Sequence, residues 1–176
     1  MKNRPILEIE STMSEKVFNL FAILILLSMI LYLMSQWGAL PANVPAHYNA
    51  QGEVDRWGNK GELTITPIFA LVIWISTTIF ERFPHLINYG TGTRINVKSL
   101  YQNSKKAVNF VKNEVTLLFS FLIWNDVHVA KGHPSKLSFL FITFIAIVLF
   151  ATIFFFIRRT SKLKQCHLQL VELKKK

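Results

Sequence analysis

The chain has 176 residues, of which 51% are hydrophobic and 17% are charged, and its formal net charge is +10. The share of charged residues is too low to cover the surface of a soluble domain with such an apolar core, so the composition indicates a small membrane-embedded bundle. The single cysteine excludes an internal disulfide and a thiolate metal cluster.

Four apolar runs predict four transmembrane helices, because a helix needs about twenty predominantly apolar residues to cross the hydrocarbon core. The predicted spans are residues 17–36, 63–80, 115–129 and 137–157. The third run is the most polar, since Asn125, Asp126 and His128 crowd its far end. The fold class predicted from these runs is an all-α integral membrane protein.

The basic residues predict the orientation of these spans. Sixteen of the twenty lysines and arginines fall in residues 1–16, 81–114 and 158–176. The positive-inside rule places these three segments in the cytoplasm, and residues 37–62 and 130–136 outside. This distribution accounts for the net charge through topology, so nucleic-acid binding is not expected.

Residues 94–114 have the pattern of a basic amphipathic helix that leads into the third span. Its apolar positions recur every three to four residues, at Val97, Leu100, Tyr101, Val108 and Val111. Its polar positions fall on other faces, at Lys98, Lys105, Lys106, Asn109 and Lys112. We expect this helix to lie in the headgroup region as a connector that touches anionic lipid, with a regulatory surface as the alternative. The tail 158–176 is predicted to continue the fourth helix as a basic anchor.

The predicted outer loop 37–62 has an unusually specific sequence. We expect a short strand at 47–49, a turn around Gly52, and return pairing by residues 63–65. Trp57 is predicted to sit at the outer interface, and Asp55 to pair with Arg56 or Lys60 or to cap a turn. The loop then forms either a compact cap over the bundle or a recognition site for a ligand or peptide.

No motif in the chain indicates catalysis. The sequence has no phosphate loop, helical HExxH pattern or nucleophile elbow, so we interpret the protein as non-enzymatic and without a cofactor. Four side chains on the predicted outer face have metal-ligating chemistry: His47, Asp126, His128 and His133. Their spacing is not diagnostic of a metal site, and exposure to lipid headgroups is the alternative.

The run LPANVPAHYNAQGEVDRWGNK, residues 40–60, resembles the domain of unknown function numbered 1648. That module occurs in bacterial membrane proteins, including the N-terminal half of SdpI-like immunity and signalling proteins. The matching residues in the loop are Leu40, Pro41, Pro45, His47, Asn49, Gly52, Asp55, Trp57 and Lys60. The segment after the second span is similar to the same family through Phe83, Pro84, Asn88, Tyr89, Asn96 and Tyr101. The resemblance implies a bacterial plasma-membrane protein with its motif loop outside.

The resemblance also implies immunity, or sensing of an envelope peptide or stress, through the outer loop. The expected partners are the bilayer, anionic lipid at the cytoplasmic face, and either a peptide toxin outside or another membrane protein. One alternative is an accessory subunit of a transporter or other membrane complex. Another alternative is a metal-dependent membrane protein.

Overall fold

The computed structural model describes residues 6–86 and 97–173, with side chains as far as residue 165. Its helices are α1 (Met13–Gln36), α2 (Ile65–Phe80), α3 (Val97–Ala130) and α4 (Phe139–Leu173). Four segments, each containing all or most of one of these helices, are long and apolar enough to cross a membrane. The prediction of a mostly helical, multi-pass membrane protein is confirmed at this level.

Helix α3 is the centre of the bundle, since α1, α2 and α4 all pack against it. Its 34 residues make a helix of about 51 Å, well beyond the roughly 30 Å of a hydrocarbon core. The predicted amphipathic helix and the predicted third span are therefore one continuous helix that starts at Val97. Helix α4 is similarly long at 35 residues, and it confirms that the tail continues the fourth helix.

The N-terminal half of α3 packs along the C-terminal half of α4. The Asn103 side-chain amide donates a hydrogen bond to the Thr160 hydroxyl at 2.9 Å. Leu163 packs against the buried pair Leu100 and Tyr101. These contacts fasten the residues after 157 to the bundle, at the end that also holds the start of α1.

A β-hairpin joins α1 to α2 in this mostly helical chain, and the strand expected at 47–49 is wrong in its bounds, because the strand that forms ends at Tyr48. Strand β1 (Asn43–Tyr48) pairs antiparallel with β2 (Val54–Asn59). The predicted return pairing by residues 63–65 is also wrong, because a short 3-10 helix, Lys60–Thr64, leads directly into α2. Asn59 ends the strand by accepting a hydrogen bond from the Gly61 N–H at 2.8 Å, which caps that helix.

The polar face of α3 points into the bundle. A helix in the headgroup region is expected to expose its polar face, but Lys105, Asn109 and Lys112 are all buried. Their partners belong to the other helices and the N-terminal segment, as when Lys105 donates to the Ile9 carbonyl. In a bilayer the apolar side of a helix faces lipid and its polar side faces its neighbours, which reverses the arrangement of a soluble protein.

The hairpin is part of the hydrophobic core. Its flanking and strand residues Leu40, Val44 and Leu63 are buried in one cluster with Ile123 and Val127 of α3. We call this the hairpin end of the bundle, and we call the end that holds Ile9 and Lys105 the opposite end. The hairpin is therefore a packed cap over the helices.

Candidate functional site

The turn of the hairpin is organised by Asn49. Its side-chain oxygen accepts hydrogen bonds from the backbone N–H groups of Gln51 and Glu53, each at 3.0 Å. Gly52 follows with φ of +84°, a conformation that favours glycine. A Cβ at Gly52 would lie 1.3 Å from the Leu137 carbonyl oxygen. The turn is thus pressed against the backbone that precedes α4.

Two acid–base side-chain pairs lie in the hairpin region. His47 Nδ1 lies 2.6 Å from Asp55 Oδ1, with both side chains largely exposed. Arg56 donates to Glu62 at 3.0 Å and to the Ala46 carbonyl at 3.1 Å. Asp55 therefore pairs with His47, and the expected pairing with Arg56 or Lys60 is wrong. In both pairs an acidic side chain contacts a basic one.

Tyr48 fastens the hairpin to the central helix. Its hydroxyl donates to Asp126 Oδ1 at 2.8 Å and accepts from the Asn125 amide at 3.0 Å. The pKa of Tyr48 is raised above its ordinary value, mainly by burial and to a smaller extent by the Asp126 carboxylate. The hydroxyl therefore keeps its proton and remains a donor. Asn125 also accepts from the Lys136 N–H at 2.8 Å, which joins the second loop to the same point.

The remaining loop residues of the motif have different surroundings. Lys60 Nζ donates to the Leu40 carbonyl at 3.4 Å and lies 5.0 Å from the centre of the Trp37 ring. Pro45 is buried opposite Trp57 in the strand pairing. Trp57 itself is 54% exposed. Such an aromatic side chain is free to meet the membrane interface or a partner.

The side chains predicted as possible metal ligands do not converge on one point. His128 stacks on His133 with ring centres 4.4 Å apart, and on Trp124 at 4.9 Å. His47 pairs with Asp55, and Asp126 accepts from Tyr48. Within the residues that the structure describes, no three histidine, cysteine or acidic side chains form a group that could hold a metal ion.

The motif residues that follow the second span are only partly described. Phe83 is exposed and meets the His85 ring edge-on at 6.0 Å, whereas Pro84 and Tyr101 are buried. Asn88, Tyr89 and Asn96 lie outside the described residues. Tyr101 belongs to the cluster that holds α3 against Leu163 and the N-terminal segment.

A buried polar network between α1, α2 and α3 was missed by the sequence reasoning. Lys112 Nζ lies 2.8 Å from Glu81 Oε1, and the two side chains are 0% and 7% exposed. The same ammonium donates to the Thr78 hydroxyl at 3.1 Å. Asn109 and Asn113 both donate to Asn19, at 2.9 and 2.8 Å. The signal was present in the sequence, because ionisable residues at the ends of two predicted spans can pair across helices.

A cavity of about 570 Å³ lies under the hairpin, between α2, α3 and α4. Hairpin residues from Pro45 to Asn49 line its upper part. Helix α3 contributes Leu118, Leu122 and Asp126. The volume falls within the range of small-molecule sites in proteins.

The comparisons with known proteins agree with the motif in the loop. A family model described as a domain of unknown function (DUF1648) matches residues 23–71, from α1 through the hairpin into α2. The resemblance to this domain is therefore confirmed. The chain is 36% identical over 78 residues to an uncharacterized protein of Archaeoglobus fulgidus, which is 40% of this chain and 41% of that protein. The similarity thus spans less than half of that relative's length. No solved structure matches the chain.

Proposed function

We propose that this chain, whose residues 23–71 carry the DUF1648 domain, is a non-enzymatic protein of the bacterial plasma membrane. Its role is immunity against an envelope peptide, or sensing of it, as the resemblance to SdpI-like proteins implies. The hairpin faces the outside, and both termini lie in the cytoplasm.

The observation that carries this proposal is that the hairpin is both exposed and rigidly held. His47, Asp55 and Trp57 present imidazole, carboxylate and indole groups at its surface. The strand pairing and the Asn49 turn hold the backbone beneath them. A recognition surface on such a support loses little conformational entropy when it binds a ligand.

Helix α3 supplies a route from the hairpin to the cytoplasmic face. Tyr48 binds Asn125 and Asp126 near its C-terminal end. The same helix continues without a break to Val97 at the opposite end. Exposed basic residues at that end include Lys98, Arg158, Arg159 and Lys162. These residues suit anionic lipid headgroups or an acidic regulator.

A protection assay tests this role. Cells that produce the wild-type chain should survive at least one membrane-active peptide from a panel of bacteriocins better than cells that lack it. The double variant His47→Ala with Asp55→Ala, and separately Trp57→Ala, should lose that protection. Gln51→Ala is the matched control, because its side chain is exposed in the same turn.

Two results would contradict the proposal. The first is unchanged sensitivity to the whole panel with the wild-type chain present. The second is full protection by the double variant and by Trp57→Ala, each at the wild-type level in the membrane. Membrane levels measured by immunoblot keep a folding defect from being mistaken for a recognition defect.

The apolar surface of α4 favours a second candidate function, that of an accessory subunit in a membrane complex. Helix α4 packs against α3 and leaves most of its side chains exposed. The exposed aromatic residues on it include Phe139, Phe144, Phe150, Phe154 and Phe155. Such a surface suits another helix as well as it suits lipid. A stoichiometric partner retained in mild detergent would favour this candidate.

A further inference from the structure

The cavity under the hairpin has two chemically different ends. The polar end lies against the hairpin and is lined by Tyr48, Arg56, Glu62 and Asp126. The apolar end lies deeper in the bundle and is lined by Leu118, Leu122, Phe141 and Ile145. A site of this kind fits a molecule with a polar group at one end and a hydrocarbon portion at the other.

At the polar end of the cavity, one acidic side chain has no cationic partner. Arg56 and Glu62 neutralise each other at 3.0 Å. His47, which also lines the cavity, pairs with Asp55. Asp126 is only 9% exposed, and it has an uncharged partner, the Tyr48 hydroxyl. Among the described side chains, no lysine, arginine or histidine forms an ion pair with Asp126.

This arrangement favours a ligand with a cationic group. A mostly buried carboxylate is unfavourable unless cations or hydrogen-bond donors replace its lost hydration. The Tyr48 hydroxyl donates one hydrogen bond to Asp126 Oδ1, and the carboxyl group can accept further bonds. An ammonium group in the cavity would add both charge and donors, in the strongest class of hydrogen bond.

The cavity opens towards the hydrocarbon region. Ile65 of α2 and Ile142 of α4 both line it and are 48% and 41% exposed, so its rims face lipid. From Asp126 to Leu118 the rise along α3 is about 12 Å. That distance is close to the roughly 15 Å of one leaflet's hydrocarbon layer. A chain held in the cavity would therefore lie alongside the lipid tails of that leaflet.

The size of the cavity limits which kind of amphiphile fits. The cavity has a volume of about 570 Å³, which lies in the range of small-molecule sites. A single-chain amphiphile belongs to this size class. A peptide occupant is distinguished by the displacement experiment below.

We propose that this cavity binds a single-chain amphiphile with a primary ammonium group, drawn from the leaflet at the hairpin end, with the ammonium held at Asp126. The inference goes beyond the proposed role in immunity or sensing, because it assigns a ligand site and a ligand class. Its failure is distinguishable from a failure of that role, because the protection assay is also read with Trp57→Ala, at a residue outside the cavity lining.

The test uses the purified full chain in lipid nanodiscs and a photoreactive dodecylamine with a diazirine near the end of its chain. Irradiation should attach the probe to peptides that contain Leu118, Leu122 or Ile145, as mapped by mass spectrometry. Unlabelled dodecylamine should compete about tenfold better than dodecanol, since a hydrogen bond to a charged group is worth about that factor. Dodecyl sulfate should compete no better than dodecanol.

Two variants and one control separate head-group recognition from folding. Asp126→Asn keeps the shape and an acceptor for Tyr48, and it should abolish the preference for the amine over the alcohol. Leu122→Trp fills the apolar end and should abolish labelling at this site while Asp126 is retained. Glu53→Gln, the same chemical change at an exposed carboxylate outside the cavity lining, should behave as wild type.

Several outcomes would overturn the proposal. They are equal competition by amine and alcohol in the wild type, a preference that survives Asp126→Asn, labelling that survives Leu122→Trp, and labelling confined to other helices. Displacement of the probe by a cationic amphipathic peptide but not by dodecylamine would also overturn it, since the occupant would then be a peptide.

Discussion

Gly52 and Gly132 have nearly the same backbone conformation but very different surroundings. Their φ angles are +84° and +86°, in the left-handed region that side chains other than glycine rarely adopt. A Cβ at Gly52 would collide with the Leu137 carbonyl, whereas a Cβ at Gly132 would meet no atom within 4 Å. The pair therefore separates the conformational role of a glycine from its role in docking the hairpin.

Replacing each glycine by alanine should show this separation. Gly132→Ala should cost about 1 kcal/mol, the usual penalty of a left-handed alanine. Gly52→Ala should cost about 1–3 kcal/mol more, because the turn must move away from Leu137. The apparent Tm of the purified protein in detergent measures both. Equal losses for the two variants would show that the close approach of the turn to Leu137 contributes nothing to stability.

One buried ion pair joins the end of α2 to α3. Lys112 of α3 and Glu81 at the end of α2 lie 2.8 Å apart and are almost completely buried. Lys112 also lies 5.1 Å from the centre of the Trp74 ring. Such a pair is a poor source of net stability compared with apolar packing, but breaking one side of it leaves an uncompensated charge.

Each single variant of this pair should therefore be less stable than the double variant. Lys112→Met or Glu81→Gln alone should lower stability by about 3–5 kcal/mol, and the double variant should recover most of that loss. Lys98→Met, at an exposed lysine of the same helix, is the control and should change stability by less than about 0.5 kcal/mol. The loss of monodisperse protein on heating in detergent measures the stability of all four variants. A double variant that loses the sum of the single losses would contradict the ion pair.

Helix α3 also shows what could be predicted from the sequence and what could not. The three-to-four residue spacing predicted a helix before the third span, and that helix exists. Spacing alone does not indicate whether lipid or protein covers the polar face of the helix. It therefore does not predict that Lys105 and Lys112 are buried inside the bundle. In the hairpin, the turn around Gly52 followed from its sequence, whereas the strand register depends on Asn59 and on contacts with α3 that are remote in the chain.

At the scale of the whole molecule, the two ends of the bundle carry different chemistry. The hairpin end has paired charges, the aromatic stack of Trp124, His128 and His133, and the cavity at Asp126. The opposite end exposes basic residues such as Lys98 and Arg158. The family model covers the hairpin and the adjoining parts of α1 and α2, so the orientation of the hairpin determines what this domain can meet. Recognition of a peptide or amphiphile from outside requires the hairpin on the outer face.

The most direct test of this account is therefore the side of the membrane on which the hairpin lies. In a Cys166→Ser background, which removes the single native cysteine, one cysteine is introduced by Gln51→Cys in the hairpin or by Lys98→Cys at the opposite end. A membrane-impermeant maleimide applied to right-side-out vesicles should label the Gln51→Cys variant at once. The Lys98→Cys variant should react only after permeabilisation. The reverse pattern, with Lys98→Cys labelled in intact vesicles and Gln51→Cys protected, would contradict the central claim that the hairpin is an external recognition element.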